Sequence, residues 1–394
     1  MLTLIRGADV YAPAAIGRRD VLVAAGRILA IAEAIQPPAG LDVDVVEARG
    51  KILAPGFIDL HVHITGGGGE GGPSTRCPEI QLSSIVKAGV TTVLGVLGTD
   101  DVTRHPETLL AKALGLEHEG VTAFVMSGSY AFPPAATITG SLKKDIVLIP
   151  NVVGVGEIAL SDHRSAQPTY DDLVKITAEA RVAGLLGGKA GLVQLHMGDG
   201  PRGLQFLFRL VEETEIPIGQ LLPTHVARAP HLFEDAVKFC LMGGNIDLTV
   251  PVERRPPRLD IPQALRRLKA AGVSLDQVTL SSDSNGSMPV FNDRREMTGM
   301  AVGDIQTLQM EFRRLVVEDG FDAAEILRCF TLNPARRLKI QNRKGQVAVG
   351  ADADLILFGP GWQIDQVYAK GRKMVAGGQV LVKGTFENPS QKCI

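Results

Sequence analysis

The sequence predicts an α/β protein built on a (β/α)8 TIM barrel, with a small β-rich unit assembled from both ends of the chain. Two observations carry this prediction. Short apolar runs alternate with amphipathic stretches eight times over about 280 residues, the number and length that such a barrel needs. Both ends show instead short, Gly-interrupted apolar segments with no helical stripe. An open, doubly wound sheet would often carry a GxGxxG turn followed by an acid, and that signature is missing.

Near the N-terminus, VLVAAGRILAI (21–31) reads as strand. At the other end ADLILF (353–358), QVYAKGRKM (366–374) and QVLVKG (379–384) read as strands, the last two meeting at an Ala-Gly-Gly turn. Residues 1–54 and 341–394 are therefore expected to form one unit that brings the termini together, leaving 55–340 for the barrel. The barrel strands are expected in FIDLHVHI (57–64), TTVLGVL (91–97), TAFVMSG (122–128), VVGVGEIAL (152–160), LVQLHMG (192–198), LLPTHVA (221–227), NIDLTV (245–250) and VTLSSD (278–283). Helices fit between them in PETLLAKALGLEHEG, YDDLVKITAEARVAG, RGLQFLFRLVEETE, PHLFEDAVKFCLMGG and PQALRRLKAAG. Two more, near 304–318 and 322–338, close the barrel.

Apolar residues make up 45% of the 394, ample for a large core. A formal charge of −2 without a long basic run gives nucleic acid or an anionic membrane nothing to bind, and the few aromatics argue against base stacking. Cys77, Cys240, Cys329 and Cys393 form no CxxC pair, so neither a disulfide framework nor a cysteine zinc site is expected. The opening MLTLIRGADVYAPAA has no basic head before a long apolar run, and no stretch is apolar for long enough to span a bilayer. The expectation is a soluble, cytoplasmic protein.

Catalytic groups of such barrels gather at the C-terminal ends of the strands. His61 and His63 close the first strand, and their i, i+2 spacing turns both to one face. Glu157 falls late in the fourth strand, His196 late in the fifth, His225 late in the sixth, and Asp283 ends the eighth. A lone histidine on a strand is more often packing than ligand. Four histidines and two acids at the same end of successive strands form a different pattern, a nitrogen- and oxygen-rich metal site suited to Zn²⁺ and tolerant of Mn²⁺, Co²⁺ or Ni²⁺. These six groups exceed the usual four of one structural zinc, and two divalent metals sharing a carboxylate use them better. His105 and His118 read as surface residues, His231 as a residue opening a helix, and His163 either as a hydrogen-bonded loop histidine or as a residue supporting the metal ligands from behind.

At this point a resemblance emerges. APGFIDLHVH, the aspartate ending SSD, TLNPARRL and KGQVAVGADADLIL resemble the amidohydrolase superfamily. HVHITGGGGEGGPSTR, LGTDDVTRHPETLLAK, SGSYAFPPAATITGS, SDHRSAQPT, AGLLGGKAG, HMGD, LLPTHVAR and SSDSNGS are similar to its bacterial isoaspartyl dipeptidase family, over nearly the whole chain. The resemblance implies a barrel with a small β-sandwich from both termini, and a binuclear metallo-dipeptidase that cleaves β-aspartyl dipeptides with a hydroxide bridging two zinc ions. It implies His61, His63 and Asp283 around the more buried metal and His196 and His225 around the more exposed one. Many relatives bridge the metals with a carboxylated lysine; the matching position here is Glu157, preceded by Gly156, while Lys189 in GGKAG is a competing candidate that precedes strand five.

Further roles follow from the same resemblance. Asp283 would act as general base and then acid, and Tyr130 would donate to the developing oxyanion. Arg164 and Arg228 would clamp substrate carboxylates, although each could equally belong to a structural ion pair. Thr99 and Ser287 would be secondary substrate contacts, the Gly68 amide would touch the dipeptide, and Glu70 would face its free α-ammonium. No nucleic acid or membrane partner is implied, and relatives suggest a homo-oligomer as large as an octamer. The alternatives are another amidohydrolase acting on amides, of dihydroorotase, hydantoinase or N-acyl-amino-acid hydrolase type, and a catalytically inactive structural relative.

Overall fold

The computed structural model describes residues 2–37, 39–133, 137–252, 257–292 and 294–387. Its centre is a ring of eight parallel strands: β6 (Phe57–Val62), β7 (Val90–Gly95), β8 (Thr122–Ser127), β9 (Val152–Leu160), β10 (Leu192–Met197), β11 (Leu221–Thr224), β12 (Ile246–Thr249) and β13 (Val278–Ser281). Strands β6 to β11 form one ladder in sequential order, and β12 pairs with β13. Every residue of these eight strands is buried except the half-buried Phe124, as expected where side chains fill the interior and helices cover the outside.

The ring is completed at two seams where continuous ladders stop, and a buried aspartate sits at each. Between β13 and β6, the Asp283 amide donates to His61 O at 3.1 Å and the His63 amide to Ser284 O at 2.9 Å. Asp59 of β6 reinforces this seam by accepting the Ser282 hydroxyl. Between β11 and β12, Asp247 accepts the Thr224 hydroxyl at 2.7 Å together with those of Thr279 and Ser281. Burial pushes the Asp59 carboxyl up to about 7 and raises Asp247 as well, the cost of taking carboxylates out of water.

The helices follow their local signals. In QPTYDDL, the Thr169 hydroxyl accepts the Asp172 amide while the Asp172 carboxylate accepts the Thr169 amide, so a reciprocal cap starts the helix Tyr170–Gly187. Gly188 ends it at φ 63. The helices Pro106–Glu119, Gln205–Glu213, Pro230–Leu241 and Ile261–Ala270 lie in the predicted stretches, and short ones at Leu82–Lys87 and Leu142–Leu148 join them. Residues 306–337 supply the closing helices Gln306–Arg313, Ala323–Phe330 and Leu332–Arg337.

The chain ends build a nine-stranded sheet from β1 (Leu2–Tyr11), β2 (Ala15–Ala24), β3 (Arg27–Ala32), β4 (Val43–Glu47) and β5 (Ile52–Pro55) with β16 (Leu355–Phe358), β17 (Ile364–Ala369), β18 (Arg372–Ala376) and β19 (Gln379–Val380). β5 pairs antiparallel with β16, which brings the two termini into one sheet. Ile5, Val10, Val21, Ile28, Leu53 and Leu355 belong to a separate buried cluster within this sheet. Against the barrel, Phe358 stacks on Phe312 with centroids 5.7 Å apart, and Phe57 and Phe330 pack around the same ring.

An element without a sequence forecast follows the eighth barrel strand: the hairpin β14 (Ser287–Phe291) and β15 (Met297–Val302). Neither face of this hairpin is buried, so its sequence has no apolar alternation to announce it.

Candidate active site

Glu157 stands at the centre of the barrel mouth. Its Oε1 lies 2.6 Å from His196 Nδ1, 3.1 Å from His225 Nε2 and 3.3 Å from His61 Nε2. Asp283 Oδ1 is 3.1 Å from His63 Nε2 and 3.6 Å from His61 Nε2. Two groups could therefore each hold a metal ion: His61, Glu157 and His225, and His61, His63 and Asp283. His196 touches Glu157 but stands outside both triads, its Nε2 turned to Asp162 at 3.1 Å and Arg228 at 2.9 Å.

The donor set fits divalent cations. His61 Nε2, His63 Nδ1 and Glu157 Oε2 are buried polar atoms without a hydrogen-bond partner, which is costly for groups placed merely to pack. Burial depresses the His61 imidazole, but the negative charge of Glu157 and then Asp283 overcomes it and lifts it to about 9. The two carboxylates thus draw positive charge onto the point they share. Burial pushes Glu157 toward its neutral form, and the imidazoles of His61 and His196 outweigh it, holding the carboxyl well below the usual range. Burial together with His196 keeps His225 well below ordinary imidazole values, in the neutral form that binds metals.

Local backbone explains how these side chains meet. His225 and Asp283 sit at φ 63 and φ 53, the left-handed region that non-glycine residues seldom adopt and that clusters at functional sites. Both residues lie just past the ends of their strands, at Thr224 and Ser281. At Gly156 a Cβ would meet Gln194 O at 2.8 Å, so only glycine lets β9 come this close to β10 just before Glu157. Lys189 is elsewhere: its Nζ donates to the carbonyls of Ile146 at 2.6 Å and Val152 at 3.1 Å, at the opposite end of the strands. That position, away from the imidazoles around Glu157, removes it as a competitor for the bridging place.

A cavity of about 530 Å³ opens above this nest. Gly68, Glu70, Thr99, Tyr130, Arg164, Arg228 and Ser287 all line it, as do His63, His196 and Asp283. Glu70 is held by Thr99 Oγ1 at 3.0 Å, Ser287 Oγ at 2.7 Å and Arg164 Nη1 at 3.4 Å. Its glycine loop is shaped by Arg104, which donates to the carbonyls of Thr65, Gly68 and Cys77 and pairs with Asp100 at 2.8 Å. Gly68, at φ +81, approaches Thr75 O so closely that a Cβ would lie 2.8 Å from it. The Tyr130 hydroxyl is 2.5 Å from His196 Nδ1, and burial with the Glu157 charge beside it raises its pKa well above the ordinary phenol, so it stays a donor.

Several lining residues were not singled out in the sequence. Asp162 bonds Arg164 at 2.9 Å, approaches Arg228 to 3.6 Å and touches His196, so both guanidinium groups are also partners of a buried carboxylate. Burial pushes Asp162 up, but His196 and Arg164 outweigh it and keep it ionised. The SDHRS motif contained this residue; a carboxylate two positions before an arginine was the available clue. Arg258, on the loop after β12, also lines the cavity. The hairpin contributes Met288 and Phe291 to the wall, and its Arg295 pairs with Asp199 at 3.0 Å across the opening.

Comparison with known proteins agrees with this architecture. Residues 221–378 match the amidohydrolase family. Over 96% of this chain and 98% of the other, the structure superposes with a TM-score of 0.90 and 44% identity on β-aspartyl dipeptidase from Fervidobacterium islandicum AW-1, solved in complex with β-Asp-Leu. Dihydropyrimidinase from Brevibacillus agri, 17% identical over 97% of this chain and 96% of its own with a TM-score of 0.67, shares the fold. A dihydroorotase from Ligilactobacillus salivarius is 23% identical over 91% of this chain and 89% of its own length. A (β/α)8 barrel with a ring of histidines and acids at its mouth, matched along its whole length at such identity, places this chain in the β-aspartyl dipeptidase family of the amidohydrolases.

Proposed function

We propose that this hydrolase cleaves β-aspartyl dipeptides, releasing aspartate and the second amino acid. The observation that carries this reading is Glu70: one carboxylate tethered by Thr99, Ser287 and Arg164 in the same cavity as the histidine and acid nest. A β-aspartyl dipeptide has a free α-ammonium, whereas a cyclic amide such as dihydroorotate has none to offer it. The Fervidobacterium relative complexed with β-Asp-Leu supports the same assignment.

In this reading His61, His63, Glu157, His196, His225 and Asp283 would hold two divalent cations, Zn²⁺ being the ion that imidazole and carboxylate donors suit, and Glu157 would serve in place of a carboxylated lysine. Such cations acidify water and polarise a carbonyl. Glu70 receives the α-ammonium, with the Gly68 amide, Thr99 and Ser287 beside it. Arg164 and Arg228 take the two carboxylates, which offer them more than the shared Asp162 does. Asp283 accepts a proton as water adds to the side-chain amide carbon and returns it to the leaving amine. Tyr130, protonated and aimed into the nest, donates to the oxyanion; losing one such donor typically costs ~3 kcal/mol of transition-state stabilisation. Residues 55–340 carry this chemistry, while 1–54 and 341–394 form the β-rich unit.

The test is a panel of β-Asp-Leu, α-Asp-Leu and dihydroorotate assayed on purified protein alongside metal analysis. Turnover of β-Asp-Leu alone, with about two zinc-group ions per chain, is the expected result. Turnover of dihydroorotate without β-Asp-Leu, or absence of bound metal, overturns it.

A further inference from the structure

The cavity holds one more cation than a β-aspartyl dipeptide needs. The part common to all such dipeptides presents one ammonium and two carboxylates, and Glu70, Arg164 and Arg228 account for these in the reading above, on which this inference rests. Arg258 remains. It lines the same cavity, partly buried, on the loop between β12 and the helix Ile261–Ala270. Among the described residues it makes no hydrogen bond and no ion pair, whereas Arg164 pairs with Asp162 and Glu70, Arg228 approaches Asp162, and Arg295 at the rim pairs with Asp199. Its charged neighbours are Arg228, which repels it, and Asp283, already engaged with His63.

A guanidinium withdrawn from water beside a second guanidinium is unfavourable unless anions offset the pair. Two adjacent guanidinium groups are best satisfied by two carboxylates close together on one ligand. Burial and the Arg228 charge lower the Arg258 pKa to about 10, which still leaves it a full cation at neutral pH. Glu70 is gripped from the loops after β7, β9 and β13, while Arg258 belongs to the loop after β12, next to β11 and its Arg228.

We propose that Arg258 is a specificity residue that selects β-aspartyl dipeptides whose leaving residue is itself acidic, so that Arg228 takes the leaving residue's α-carboxylate and Arg258 its side-chain carboxylate. β-Asp-Glu supplies the third anion; β-Asp-Gln has nearly the same shape without the charge, which isolates the electrostatic contribution from pocket size.

The experiment measures kcat/KM of the metal-loaded enzyme for β-Asp-Glu, β-Asp-Gln and β-Asp-Leu. The expected result is a preference for β-Asp-Glu over β-Asp-Gln of roughly tenfold or more, the scale of one charge-assisted hydrogen bond. In Arg258→Gln the β-Asp-Glu to β-Asp-Gln ratio should collapse toward one, and Arg258→Lys, which keeps the charge, should retain part of it. Equal rates for the isosteric pair in the unsubstituted enzyme overturn the inference without needing any variant to fold, and leave the dipeptidase reading standing if β-Asp-Leu is cleaved. A ratio unchanged in Arg258→Gln also overturns it. Cleavage of none of the three dipeptides removes the underlying reading together with it.

Discussion

Glu157 shows how much one residue type can carry. A single carboxylate reaches three imidazoles because it is central, buried and held in its charged form by them. In the bridging role proposed above, a glutamate stem is shorter than that of a carboxylated lysine, and the missing Cβ of Gly156 lets β9 approach Gln194 just before it. Glu157→Gln keeps the shape and removes the only carboxylate of the triad His61, Glu157 and His225. Metal content of the purified variant should fall to one ion per chain or fewer, with metal retention weakened by roughly 10–100-fold, read by elemental analysis after dialysis. A full metal complement with full turnover would remove Glu157 from the bridging position.

At the scale of elements, the glycine loop 66–72 gains definition from a side chain outside it. Arg104 gathers the carbonyls of Thr65, Gly68 and Cys77 and is itself neutralised by Asp100. Glycines supply close approach and positive φ, and a buried guanidinium supplies the order that glycines lack. Arg104→Met preserves bulk but leaves those carbonyls unpaired and Asp100 without its partner. The cost should be ~3 kcal/mol of stability, and KM for β-Asp-Leu should rise several-fold more than kcat falls, because Glu70 loses its fixed position. A Michaelis constant equal to that of the parent would show that the loop orders itself without Arg104.

For the whole molecule, the nine-stranded sheet and the barrel share an aromatic junction. Phe312, on a helix that closes the barrel, meets Phe57 of the first barrel strand, Phe330, Phe358 of the terminal sheet and Trp362. Phe312 is fully buried, so truncation removes contacts on every side and leaves a cavity. Phe312→Ala should destabilise the fold by ~3–5 kcal/mol in denaturant unfolding, while the folded fraction keeps its metal content, since the junction lies away from the strand ends that bear the ligands. Loss of metal at temperatures where the variant remains folded would show instead that the sheet supports the mouth of the barrel.

How far the sequence reached depends on the range of the interaction. Strand and helix alternation is written in local apolar periodicity, so the barrel and its order were legible from residues alone, as was the placing of His61, Glu157 and His196 on strands; His63, His225 and Asp283 lie just past the strands they were expected to end. The lining positions of Glu70, Tyr130, Arg164 and Arg228 were likewise legible, through the resemblance of the surrounding stretches. The hairpin was not, because neither of its faces is fully buried and so no alternation marks it. Which charges are already satisfied was not legible either: Asp162 binds both clamping arginines, His196 turns away from the triads, and Arg258 is left over. Pairing of charges depends on distances between loops far apart in the chain, and only closure of the ring brings those loops to one cavity. By itself the sequence determined the scaffold and the chemical kinds of group at its mouth; the tertiary structure alone decided which of those groups are occupied by one another and which remain free for a substrate.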